Sequence, residues 1–180
     1  MFIATTRFND QTFLENERWR TNHNWEGCIY GSPKKISDKV PPDCRILVIE
    51  MNNSKPEKIM GFGLILNHPR YDFKANIYSD TYYNRVIYRS DYRKDRSQIE
   101  NTEILKFLEE ILFRGKTHQK RARGITILPL QIKDGYFTLP EKITMPQIIK
   151  DLENKKTIQQ IIKKYWTLRI QLTLFYKTLF

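Results

Sequence analysis

The sequence is poor in the residues that build metal sites and covalent cross-links. Its 180 residues include only two cysteines, Cys28 and Cys44, and three histidines, His23, His68 and His118. No C-x-x-C pair occurs and the histidines share no ligand spacing, so we expect no structural zinc site. The two cysteines are enough for one disulfide. We expect reduced thiols instead, because the chain is basic and opens without a secretory leader.

Long apolar runs and catalytic motifs are also missing. No run approaches the roughly 20 residues of a membrane helix, which predicts a soluble protein of the cytoplasm or the nucleus. The sequence contains no G-x-S-x-G, no H-E-x-x-H, no Walker A loop and no paired-carboxylate motif. His118 lies among cations, which lower its basicity and make it a poor general base. We therefore expect a binding protein that needs no metal or cofactor and catalyses no reaction.

Acidic residues are scarce relative to basic ones. The chain has 31 Lys and Arg against 20 Asp and Glu, a formal net charge of +11, with 40% hydrophobic and 13% aromatic residues. The hydrophobic content is typical of a globular protein. The excess of positive charge favours a phosphate-rich partner, because basic surfaces attract polyanions. The alternative is a soluble protein whose basic composition reflects a lysine-rich proteome.

The pattern of apolar residues predicts an α+β fold. "RILVIEMN" is a buried strand, and "KIMGFGLILN" returns antiparallel to it, with Gly61 and Gly63 allowing close approach of other backbone or side chains. "MFIATT" predicts a first strand, and a helix capped by Asp10 follows it. A further strand is predicted in "RVIYRSDYR", and a second helix begins at Thr102. Pro129 either ends the strand "ITILPLQI" or confines it to a sheet edge.

The last forty residues have a different, helical character, which predicts a domain over 1–138 and a helical extension over 141–180. Apolar residues at 158, 161, 165, 168, 172, 175 and 179 form a heptad stripe. Such a stripe packs on its own domain, or it forms a homo-oligomer or a surface for a protein partner. "DLENKKTIQQIIKKYW" also resembles the first half of a helix-turn-helix, although Ile162 and Trp166 replace its small residue and its glycine.

Two basic segments accompany a set of aromatic residues. The first segment, between positions 114 and 123, has no acidic residue, and the second follows the corner "GSPKK". Cations of this kind contact phosphates, while exposed aromatic rings stack on bases. The phosphate-binding candidates are Arg114, Lys116, His118, Lys120, Arg121, Arg123, Lys34 and Lys35. The aromatic candidates are Trp25, Tyr30, Tyr71, Phe73 and Tyr78.

The order of these elements resembles the YTH domains and the related EVE modules of the PUA-like superfamily. "RILVIEMNNSKPEKIMGFGLI" looks like the YTH hairpin, "YNRVIYRSDYR" resembles the next strand, and "HQKRARGITI" is similar to the basic approach to the last strands. The resemblance covers roughly residues 2–130. It implies a curved, barrel-like β-sheet flanked by helices, and a module that binds nucleic acid, with RNA favoured over DNA.

The same resemblance implies a base pocket. YTH modules hold an N6-methylated adenine of single-stranded RNA in an aromatic cage. Thr6 and Arg7 match the polar contacts of the first strand, Tyr30 the first cage aromatic, and Ser32 the small polar residue after it. The family has Trp in place of Tyr30, and the spacing from Gly27 is one residue longer. The second cage aromatic would come from the region of Tyr71, Phe73 and Tyr78.

Two other functions remain open at this point. One is a component of a protein assembly that docks through the apolar stripe between residues 158 and 179. The other is an enzyme of the related ASCH type, acting on RNA or on a modified nucleoside.

Overall fold

A computed structural model describes residues 1–72, 74–100, 102–114, 118–121, 123–133 and 136–138. Backbone contacts divide the chain into two compact units, Met1–Leu128 and Pro129–Phe180. The predicted helical extension over 141–180, with its apolar stripe and its helix-turn-helix alternative, lies outside the described residues. So do two of the candidate site residues, Phe73 and Lys116.

The first unit is an α+β structure, as predicted. Two short 3-10 turns, Thr81–Asn84 and Arg96–Gln98, separate some of its strands. Strand β7 begins in the first unit and continues through Pro129, and β8 follows it in the second unit. The helices and strands in chain order are β1 (Phe2–Phe8), α1 (Asp10–Asn22), β2 (Cys28–Ser32), β3 (Arg45–Asn52), β4 (Lys58–Leu66), β5 (Val86–Ser90), β6 (Arg93–Asp95), α2 (Thr102–Phe113), β7 (Thr126–Lys133) and β8 (Tyr136–Thr138).

The main sheet of the first unit is mixed. Its strand order is β6-β4-β3-β1-β7, in which β1 runs parallel to β3 and antiparallel pairs join β3 to β4 and β4 to β6. Strands β2 and β5 form a separate antiparallel pair. The described residues show no closed barrel, so the structure supports the α+β class but not the finer PUA-like barrel.

The predicted hairpin is confirmed as β3 and β4. Every residue of β3 after Arg45 is buried, because the strand lies between two neighbours and both of its faces are covered. The pairing of β1 with β3 sets Phe8 opposite Asn52. The ends of these two parallel strands, and the polar residues that follow each of them, therefore lie side by side.

Helix α1 begins directly after β1. Its N-cap is Asn9 and not Asp10, because the Asn9 side chain accepts a hydrogen bond from the Thr12 amide at 2.8 Å while the Thr12 hydroxyl accepts one from the Asn9 amide at 2.9 Å. Asp10 is the first helical residue, and its carboxylate accepts a hydrogen bond from the Asn52 side chain at 2.8 Å. The start of the helix is thereby fixed to the end of β3.

Candidate functional site

Tyr30 is part of the core and does not line a pocket. Its side chain is 0% exposed, and its hydroxyl donates to Glu50 Oε1 at 2.8 Å. A Cβ atom on Gly63 would lie 2.2 Å from the Tyr30 oxygen, so the bare backbone of β4 is what makes room for this hydroxyl. Arg93 completes the cluster with hydrogen bonds of 2.9 and 2.7 Å to the two Glu50 oxygens. The prediction that Tyr30 forms a pocket wall is wrong.

The side chains of Ser32 and Trp25 likewise make contacts within the protein. Ser32 is 1% exposed, and its hydroxyl donates to the Lys34 carbonyl at 2.7 Å. The Trp25 indole donates to the Cys28 carbonyl at 3.2 Å, and the Arg89 guanidinium lies over its ring, 3.4 Å from the centroid. Ser32 is therefore closed to a base, contrary to prediction, whereas Trp25 is half-buried, lies outside the cleft described below and has Arg89 over its ring.

Tyr71 differs from these residues because it is 65% exposed. The Lys35 ammonium lies over its ring, 5.4 Å from the centroid. The pair forms an aromatic and cationic surface that is separate from the lining of the cleft described next.

A cleft of about 410 Å³ lies where β1 ends and α1 begins. Three of the predicted base-pocket residues, Thr6, Arg7 and Tyr78, line it. Two of the predicted phosphate-binding residues, Lys120 and Arg123, line it as well. This cleft, defined by those five residues and their neighbours, is the candidate site.

Tyr78 is held in the cleft by the side chain of Asn84. The Asn84 carbonyl oxygen accepts from the Tyr78 amide at 3.0 Å, and its amide group donates to the Tyr78 carbonyl at 2.7 Å. Asn16 donates to the Tyr78 hydroxyl at 3.2 Å. Burial raises the pKa of Tyr78, so the hydroxyl stays neutral at physiological pH.

A second tyrosine, Tyr83, meets Tyr78 on the same wall. The two rings pack edge to face with centroids 6.4 Å apart, and Tyr83 is half-buried. A Cβ atom on Gly31 would lie 2.4 Å from the Tyr83 carbonyl and 2.8 Å from the Tyr78 ring. Glycine at position 31 therefore allows this wall to close onto β2.

Arg7 joins the cleft to the basic segment. Its Nη1 donates to the Gln119 carbonyl at 2.7 Å, while the Asn53 side chain donates to the Lys120 carbonyl at 3.3 Å. These two bonds tie the backbone of the basic segment to the ends of β1 and β3. Burial lowers the pKa of Arg7, an effect that the nearby Tyr83 phenol opposes. The guanidinium remains charged, because arginine does not lose its proton in proteins.

The cations of the basic segment have different environments. Lys120 forms an ion pair with Glu57. Arg121 and Arg123 are exposed and pair with no acidic side chain among the described residues. Arg114 pairs with Glu110 on the exposed face of α2 at 3.4 Å, and His118 is half-buried. Arg123 is thus the cation of the cleft with the most charge available to a phosphate.

The two basic segments meet at Gly124. A Cβ atom there would lie 2.3 Å from the Ser32 hydroxyl and 3.0 Å from Pro33, so the residues after Arg123 lie against the Gly-Ser-Pro corner. Lys34 and Lys35 follow this corner directly and are exposed. The corner that precedes Lys34 and Lys35 therefore lies against Gly124, which lines the cleft.

Sequence reasoning missed several polar residues of the cleft, among them Glu15, Asn53 and Tyr83. Glu15 lies on α1, and Asn53 comes directly after β3. A polar residue that follows a buried strand was the available signal for Asn53, since β1 also ends in polar residues. Nothing in the local sequence distinguishes Glu15 from the other acidic residues of its helix.

Among the described residues, no group of three or more His, Cys, Asp or Glu side chains is arranged to hold a metal ion. No helix within those residues is long and apolar enough to cross a membrane. Both cysteines are free. No protein-family model matches the chain, and comparison with curated proteins and with solved structures finds no match.

Proposed function

We propose that the protein binds single-stranded nucleic acid by accepting one unstacked base in the cleft. The observation that carries the proposal is the convergence of Thr6, Arg7 and Tyr78 with the cations Lys120 and Arg123 in one cleft. Polar groups, an aromatic wall and positive charge are the three components that single-strand binding requires. RNA is favoured over DNA because of the resemblance to RNA-binding modules.

The aromatic wall gives the base its stacking partner. Tyr78 is 7% exposed and fixed by hydrogen bonds, so the half-buried Tyr83 is the ring better placed to contact a base. Stacking of one base on an aromatic ring contributes roughly 1–3 kcal/mol. Flanking phosphates would lie on Arg123 and Lys120, with Lys34 and Lys35 beyond Gly124.

A PUA-like fold of the YTH or EVE type remains part of the proposal. It is supported by the order strand, helix, corner, hairpin, and by a cleft at the end of the first strand. A cage for N6-methyladenine built on Tyr30 is not part of the proposal, because the Tyr30 side chain is buried against β4. Any recognition of a modified base would depend on Tyr78 and Tyr83 instead.

The proposal is tested by filter binding of single-stranded RNA and DNA at several salt concentrations. Phosphate contacts release counterions, so affinity should fall as salt rises, and Arg123→Ala should lower the slope by about one phosphate contact. Arg45→Ala is the matched control, because Arg45 is exposed at the other end of β3, roughly 23 Å from the cleft at the rise of a strand. Absent or salt-insensitive binding of both nucleic acids would refute the proposal.

The two other functions keep separate tests. A protein-docking role for residues 158–179 concerns a segment outside the described residues, and light scattering of a chain truncated near residue 140 tests it. Loss of oligomers with retained nucleic-acid binding would separate the two roles. Cleavage of labelled RNA by the purified protein would support an ASCH-type enzyme instead.

A further inference from the structure

Arg7 lines the cleft, and its guanidinium group carries two adjacent buried donors. Its Nη1 is engaged by the Gln119 carbonyl, whereas Nε and Nη2 are buried and have no hydrogen-bond partner among the described residues. These two nitrogens lie on the same side of the planar group, and their N–H bonds are parallel. A buried donor without a partner costs free energy. The Arg7 fork therefore matches a ligand edge that carries two adjacent acceptors.

Two other residues that line the cleft each carry a buried acceptor atom that has no partner within the described part of the chain. These atoms are Oδ1 of Asn53 and Oε2 of Glu15. The orientation of Asn53 is set by its bond to the Lys120 carbonyl, and the other Glu15 oxygen accepts from Gln11 at 3.2 Å. A ligand that satisfies the cleft must therefore bring N–H donors as well as acceptors.

This combination excludes a simple anion. Phosphate and carboxylate groups offer acceptors only, and they would lie in the same cleft as the Glu15 carboxylate. Adenine places a donor next to its N7 acceptor, and uracil places N3–H between its two carbonyls. Cytosine has two adjacent acceptors, O2 and N3, but a single donor group. Guanine has O6 and N7 for the fork, and N1–H and N2–H₂ for the two acceptor residues.

We infer that the base bound in the cleft is guanine, with its O6 and N7 on the Arg7 fork and its N–H groups on Glu15 and Asn53. The inference rests on the proposed function, since it names the base that the cleft selects. Arginine bound to O6 and N7 of guanine is the commonest specific contact between proteins and bases. The arginine supplies both donors from one rigid plane, which lysine does not.

Binding requires a small rearrangement, because both nitrogens of the fork are shielded from water in the free protein. Tyr83 lines the same cleft and lies close enough for its phenol to act on the Arg7 charge. Rotation of this half-buried ring exposes the fork and brings the ring onto the incoming base. The same residue then contributes stacking once the base is in place.

The test is a fluorescence-anisotropy titration with single-stranded RNA octamers. The reference is oligouridine, and the others carry one central guanine, adenine, cytosine, inosine or 7-deazaguanine. The guanine octamer should bind about tenfold or more tightly than the uridine, adenine and cytosine octamers, which is the discrimination given by one bidentate arginine contact. Replacing N7 by carbon should remove most of this preference, and inosine should lose part of it because N2 is missing.

Two variants complete the test. Arg7→Lys keeps the charge but not the fork, and it should lower the affinity for the guanine octamer to that for oligouridine, which removes the preference for guanine. Glu15→Gln should reduce the preference for the guanine octamer over the cytosine octamer. Thermal unfolding of each variant verifies that it is folded, and the 7-deazaguanine comparison on the wild-type protein needs no variant.

The outcomes separate the inference from the proposed function. Equal affinity for all octamers overturns the guanine inference but leaves nucleic-acid binding in place. A tighter complex with cytosine, or an Arg7→Lys variant that weakens every octamer equally, also overturns it, because Arg7 then contacts another base or a phosphate. Binding of no octamer overturns both the inference and the proposed function.

Discussion

Two groups of polar and aromatic side chains in the protein differ in whether their hydrogen bonds are complete. The first, the Tyr30 cluster, consists of Tyr30, Glu50 and Arg93, in which hydroxyl, carboxylate and guanidinium bind one another. In the second, the cleft, Arg7 and Asn53 retain buried polar atoms without partners among the described residues. The cluster is therefore a structural element, and the cleft, with its unpaired buried polar atoms, is the region that we propose binds a ligand.

The electrostatics of the Tyr30 cluster support this distinction. Burial by itself lowers the pKa of Arg93, but attraction to Glu50 outweighs it and the net pKa is raised. Burial and the Glu50 charge both raise the pKa of Tyr30. The cluster thus keeps one charged pair and one neutral hydroxyl, an arrangement that leaves little for a base to bind.

The largest expected effect on stability comes from a substitution that breaks the Tyr30 cluster. Glu50→Ala leaves the buried Arg93 guanidinium with the half-exposed Asp95, at 3.2 Å, as its remaining ion-pair partner. The free energy of unfolding should therefore fall by about 3–5 kcal/mol in urea denaturation. Glu110→Ala is the control, because its ion pair with Arg114 is exposed. It should change the free energy of unfolding by less than about 0.5 kcal/mol. Similar losses in the free energy of unfolding for the two variants would mean that the buried cluster stabilises the protein no more than an exposed ion pair does.

The next effect concerns the cleft. Tyr83→Ala should weaken binding of single-stranded RNA by roughly 1–3 kcal/mol, because the ring that stacks on the base is removed. Tyr82→Ala is the matched control, since Tyr82 is the exposed neighbour and does not line the cleft. Isothermal titration of both variants measures the difference. Equal affinities would place the base away from Tyr83.

The smallest expected effect is a pH dependence of the free energy of unfolding, which arises from Cys28 in the core. Burial, and then the Glu50 charge, raises the pKa of Cys28 to about 12. In the unfolded chain a thiol loses its proton near pH 8.5. Above that pH the unfolded state binds fewer protons than the folded state, so stability falls as pH rises, by at most about 1.4 kcal/mol per pH unit.

This dependence separates the two cysteines. Cys28→Ala should remove the loss of stability between about pH 8.5 and 9.5, where unfolded tyrosines are still mostly protonated. Cys44→Ala should retain it, because Cys44 is only half-buried. Urea denaturation at a series of pH values measures both variants. A wild-type protein whose stability is flat over this range would contradict the assigned environment of Cys28.

The local features of the fold could be predicted from sequence. Continuous apolar residues predicted β3, helical spacing predicted α2, and clusters of cations predicted the basic segments. The core position of Tyr30 could not be predicted, because it depends on Gly63 and Glu50, which are distant in sequence and join it only through the fold. An aromatic residue beside a flexible corner and two lysines has the same local pattern whether its ring is buried or open.

The candidate site could likewise be predicted from the sequence only in part. Thr6, Arg7 and Tyr78 were found from a resemblance and from their region of the chain, and the cleft unites them. Glu15 and Asn53 were missed because their importance arises from unpaired atoms, which only the packed structure reveals. A buried polar atom without a partner is not visible in a sequence pattern.

The most direct test of the central claim is photo-crosslinking followed by peptide mapping. Single-stranded RNA octamers with one 4-thiouridine or 6-thioguanosine are irradiated with the wild-type protein. The account predicts crosslinks to the segments that contain Thr6–Asn9 and Tyr78–Tyr83. Crosslinks confined to the surface of Arg45 and Tyr92, or to Trp25, would contradict it, because the base would then bind outside the cleft.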